Sequence, residues 1–186
     1  HGGGDPKWVL ERIEENFKTL QVFGVLHSAG DIILDNSVFE LTKKHEADFD
    51  GEHLSPYNST PDGLLVNFKA IILTFTPDEL TQTVRVKSEP PIAGVSIDST
   101  VPMGNNGCGD WRSGLRADFT HPDRISFAGS YSARCGEKVW PIAYSDPATF
   151  AARVVKAMYN AAGTPFPATS ATTRPSRFPP RSGTTS

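Results

Sequence analysis

The sequence is poor in the features that usually announce a function. Lys and Arg number 18 and Asp and Glu 21, giving a net charge of -3. Neither sign dominates, so a polyelectrolyte surface for nucleic acid is excluded. No run of 18 apolar residues exists, so the sequence contains no segment that reads as a membrane-spanning helix. Only two cysteines are present, with no Cys-x-x-Cys or His-x-x-x-His pair, so the ligand spacing of a zinc site is missing. No catalytic signature stands out, no 20–50-residue repeat recurs, and no cofactor is implied.

What remains suits a soluble globular chain of 186 residues, 38% hydrophobic and 10% aromatic. The expected organisation is a flexible stretch over 1–4, a single α+β domain over 5–163, and an extended tail over 164–186. Asp5-Pro6 opens an amphipathic helix carrying Val9, Ile13, Phe17 and Leu20 on one stripe, ended by Gly24 or Gly30. Residues 64–75 and 80–87 read as an antiparallel hairpin around a turn at 76–79. Residues 92–101 read as an edge segment and 103–110 as a loop. Further strands are expected at 111–120, 124–135 and 138–144. Asp146-Pro147 opens a second helix with Phe150, Val154, Ala157 and Met158 inward and Gly163 as its stop. The expected fold is therefore an antiparallel sheet of about four to six strands flanked by two helices. Ala29-Gly30-Asp31 and Asn36-Ser37-Val38-Phe39, following an amphipathic helix, resemble the start of an NTF2-like fold.

Three features point to a secreted, extracellular protein. Cys108 and Cys135 form the most economical disulfide. Asn58-Ser59-Thr60 is an N-glycosylation sequon in a turn rich in Pro and Gly. The chain starts at His1, as a processed mature chain does. The tail holds ten Ser or Thr, five Pro and three Arg without Asp or Glu, and cannot bury a core of its own. Thr164, Thr169, Ser170, Thr172, Thr173 and Ser176 are candidate O-glycosylation sites there.

Candidate chemistry is sparse. His1 as a copper ligand has no second histidine singled out by spacing, and Gly2-Gly3-Gly4 would leave such a site loose. His1-Gly2-Gly3-Gly4 also spells an esterase oxyanion-hole motif, but no Gly-x-Ser-x-Gly follows it. His45, His53, Asp48, Asp50 and Glu52 form a polar cluster without the offsets of an EF-hand. Asp110, Trp111 and Arg112 combine an aromatic face with groups of both signs, a set suited to contacting a sugar or planar ligand. No catalytic or metal-binding residue is singled out.

These observations lead to a non-catalytic secreted glycoprotein with a structural or partner-binding role, such as a subunit of an extracellular filament or lattice. Its partners would be copies of itself, another extracellular protein or a glycan, with the tail crossing an interface. The alternative is a small pocket protein, either a cofactor-independent enzyme or a carrier of an apolar ligand lined by some of the eleven Phe residues.

Overall fold

The computed structural model describes residues 10–24, 32–34, 66–105 and 107–162. Helix α1 (Leu10–Val22) presents Ile13 to the core and Phe17 to its edge. Glu14 and Lys18 pair across one turn on the exposed side at 2.7 Å. Gly24 follows at φ +81°, a left-handed value that suits glycine at a helix end. The expected helix is present, although Asp5 and Pro6 lie outside the described residues.

The hairpin is the centre of the fold. Strand β1 (Ala70–Asp78) pairs antiparallel with β2 (Thr83–Glu89), placing Phe75 opposite Val86. Ile71, Leu73 and Phe75 point into the core, as the two-residue period of a strand requires. Val84 and Val86 join them, while Arg85 and Lys87 face water. The turn lies two to three residues later than the sequence suggests. Pro77 and Asp78 remain in β1, and Leu80, read as a strand residue, is 97% exposed at the tip. Asp78 causes this, because its Oδ1 accepts from the backbone N–H groups of Leu80 and Thr81. Pro90 ends β2, since it has no N–H to extend the ladder.

Six more strands follow: β3 (Ser96–Ile97), β4 (Thr100–Gly104), β5 (Ala117–His121), β6 (Arg124–Phe127), β7 (Tyr131–Ser132) and β8 (Lys138–Ala143). They form a five-stranded sheet ordered β7-β4-β2-β1-β8 and a three-stranded sheet ordered β3-β6-β5. The class is α+β, as expected, but the sheet is not purely antiparallel. β4 pairs parallel with β7, and β3 with β6. The connections between these pairs are long enough to return the chain to the same end, which parallel pairing needs. No NTF2-like layout emerges from the two sheets; 29–31 and 36–39 lie outside the described residues, as does the tail.

Residues 111–120, expected as one strand, divide. Helix α2 (Trp111–Leu115) comes first, and Arg116 at φ 47° turns the chain into β5. Helix α3 (Phe150–Ala161) closes the fold, burying Phe150, Val154, Val155, Met158 and Tyr159. Its N-cap is Thr149 rather than Asp146; the Thr149 hydroxyl donates to Asp146 Oδ2 at 2.6 Å. Arg153 then ties α3 to the loop after β2, donating to Ala93 O at 3.1 Å and Gly94 O at 3.3 Å. Tyr159 meets Phe17 edge-on at 5.4 Å, and the Gln21 amide donates to Ala162 O, so α1 lies along α3.

Candidate functional site

Chemistry-bearing side chains of the described residues gather where α2, β1, β7 and β8 meet. Phe75 stands in the middle. Its ring stacks on Tyr131 at 5.7 Å and meets Trp111 and Phe127 edge-on at 5.7 and 5.4 Å. Trp111 also touches Tyr131 and Trp140, each at 5.7 Å, and Trp140 meets Phe119 at 5.2 Å. Edge-on contacts of this kind match the positive rim of one ring to the negative face of the next. Trp111 and Trp140 are half-buried and close the outer end of the cluster.

Two devices hold α2 in place. Cys108 and Cys135 are joined as expected, with their Cα atoms 5.0 Å apart. The bridge closes a loop spanning 27 residues. Replacing both cysteines by Ala is expected to lower stability by about 3 kcal/mol through loop entropy, read from urea unfolding. The second device is close backbone packing. Gly129 N donates to Leu115 O at 2.9 Å and Ser130 N to Gly114 O at 3.2 Å.

The three predicted ligand residues are brought to this surface. Asp110 caps α2, its Oδ1 accepting from Ser113 N at 3.2 Å. Hydrogen bonds from Ser113 hold its carboxyl below the ordinary value, with a smaller contribution from the Arg112 charge. Arg112 is exposed, and its guanidinium carbon lies 5.2 Å from the Trp111 ring centre and 5.5 Å from that of Trp140. Trp140 was not singled out by the sequence. The alternation of β8, with Trp140 and Ile142 on the inward face, is the pattern that could have found it.

Asp118 and His121, near these residues in sequence, take no part in the Asp110–Arg112 group. Asp118 Oδ1 accepts from Thr120 N and Oγ1 at 2.9 and 2.7 Å, bonds that hold its carboxyl low. Tyr131 behaves in the opposite way. Its hydroxyl donates to Gly136 O at 2.9 Å, and burial pushes the phenol from 10.0 up to about 12. A raised value in the folded state stabilises the neutral form. The contribution is fully present below pH 10 and is lost as pH rises through about 12. Urea midpoints are expected to fall across that window, and to fall less steeply in Tyr131→Phe.

Phe75, Phe127 and Phe150 sit in the core, so they do not line the apolar pocket of the carrier reading. A groove of about 630 Å³ lies elsewhere, between α1 and α3, floored by Leu10, Pro91 and Met158 and rimmed by Glu11, Glu14 and Glu89. Among the described residues no cluster of His, Cys, Asp or Glu is placed to hold a metal ion. His1, the 43–53 polar cluster, Asn58 and the tail sites at Thr164, Thr169, Ser170, Thr172, Thr173 and Ser176 lie outside the described residues. Ser132 Oγ is buried without a hydrogen-bond partner among the described residues, so no lysine or histidine there activates it as a nucleophile.

The fold is similar to part of a penicillin-binding protein. Penicillin binding protein 4 from Haemophilus influenzae superposes with a TM-score of 0.56 at 15% identity, covering 89% of this chain and 36% of that one. Its structure complexed with a novel beta-lactam gives 0.55 at 14% identity, covering 95% and 36%. The chain thus spans about a third of the length of these structures. Residues 1–176 match the D-Ala-D-Ala carboxypeptidase 3 (S13) family, and the chain belongs to that family. No curated protein matches it.

Family membership overturns the expectation of a non-catalytic structural glycoprotein, and with it the filament or lattice subunit. The family is one of peptidases. The structural reading rested on the sequon, the single bridge, the tail and the absence of a catalytic signature, and that absence is real. The sequence contains no Ser-x-x-Lys, no Ser-Asp-Asn and no Lys-Thr-Gly, the three motifs that carry the serine chemistry of penicillin-binding proteins. Absence of those motifs from this stretch does not place the protein outside an enzyme family.

Proposed function

We propose that the chain is part of a serine carboxypeptidase that removes the terminal D-Ala from cell-wall peptides ending in D-Ala-D-Ala. The family match over residues 1–176 carries this reading. In such chemistry a serine attacks the carbonyl of the penultimate D-Ala, and the terminal D-Ala leaves as the amine. Water then hydrolyses the acyl-enzyme ester. The motifs for those steps lie outside these residues. The chain's own contribution is a frame: a disulfide and a close glycine contact fix α2, and an aromatic cluster fixes the surface it presents. Precise support of this kind matters because small displacements of a catalytic group cost large factors in rate. An exported location is part of the proposal, and the Cys108–Cys135 bridge supports it, since such bonds persist in oxidising compartments.

The test is release of free D-Ala from a pentapeptide ending in D-Ala-D-Ala, using the protein that bears this segment in its native source. Release is expected from that protein. A folded protein that releases none would overturn the reading.

A further inference from the structure

Arg112 is placed in an unusual way for an exposed cation. Its guanidinium sits over two indoles, Trp111 at 5.2 Å and Trp140 at 5.5 Å. Among the described residues it forms no ion pair. Asp110, whose charge it feels, is turned to Ser113 N through Oδ1. An arginine held over aromatic faces keeps its N–H fork available, and that fork matches the two oxygens of a carboxylate. The support is rigid, because both indoles belong to the aromatic cluster and α2 is tied by the neighbouring disulfide.

We propose that Arg112, seated on Trp111 and Trp140, is the receptor for a free carboxylate of the ligand. The choice of a cell-wall ligand rests on the carboxypeptidase reading, whereas the carboxylate rests on the geometry alone. Two sources share this chemistry, an acidic peptide and an acidic saccharide. The site is a binding site apart from the serine motifs, and it orients a ligand rather than cleaving it.

The experiment titrates the chain in a Trp8→Phe background, so that indole emission comes from Trp111 and Trp140. One arm uses an acidic tetrapeptide, the other an acidic disaccharide, each beside its amidated form. Saturable change in emission is expected in one arm, weakened about tenfold or more by amidation and by Arg112→Lys, which keeps the charge and loses the fork. The arm that responds identifies the source. Circular dichroism and the urea midpoint of Arg112→Lys are expected to match the parent, excluding a folding defect. Equal affinity for the amidated ligand, equal affinity in Arg112→Lys, or no response in either arm would overturn the proposal. D-Ala release is not read here, so this result and the fate of the carboxypeptidase reading are separable.

Discussion

Gly129→Ala is expected to be the most damaging single-methyl change in the described residues, lowering stability by about 4 kcal/mol or more. A Cβ at position 129 would stand 1.9 Å from Gly114 O and 2.8 Å from the Leu115 carbonyl carbon. Both are backbone atoms, so no side chain can rotate away. Relief requires α2 to separate from the 128–130 segment, breaking the bonds from Gly129 N and Ser130 N. Gly109→Ala is the control, because nothing lies within 4 Å of a Cβ there. Urea unfolding of the two variants should show a large loss for the first and a change within about 0.5 kcal/mol for the second. Equal midpoints would mean that the contact of α2 with 128–130 is not as described.

Phe75→Ala is expected to cost about 3–5 kcal/mol. The ring is fully buried and is the common partner of Trp111, Phe127 and Tyr131. Removing it opens a cavity under α2 and leaves Trp111 without its inner partner. The loss should appear together in the urea midpoint and in a red-shifted indole emission as Trp111 becomes wetter. Phe75→Leu retains most of the volume and is expected to lose less, which separates filling from ring geometry.

The hairpin, β8, α3 and the disulfide were legible in the sequence, each for a local reason. β1 alternates Ile71, Leu73 and Phe75 inward, and α3 carries Phe150, Val154 and Met158 on one stripe. Two cysteines leave one pairing. The parallel pairs were not legible, because β3 and β7 are two residues long and too short to carry a period. Helix α2 was misread as a strand because Trp111 and Leu115 suit either state, and what makes it a helix is Asp110 as its cap. Half of the candidate site, Asp110 to Arg112, was visible as a mixed run of charge and indole. Trp140 was not, since it reaches the site only through the register that sets Leu73 opposite it. The family itself left no Ser-x-x-Lys, Ser-Asp-Asn or Lys-Thr-Gly motif in this stretch to be found, and the similar solved structures share only 14–15% identity with it.

The central claim is that this chain belongs to the D-Ala-D-Ala carboxypeptidase 3 (S13) family, and the function proposed from it puts the nucleophile on a motif that these 186 residues do not contain. The most direct measurement is covalent labelling with a fluorescent penicillin, followed by tryptic mapping of the acylated serine in the protein that bears this segment in its native source. The account predicts one adduct, on the serine of a Ser-x-x-Lys sequence beyond these residues. An adduct on any serine within the chain, Ser132 included, or no adduct on folded protein, would contradict it.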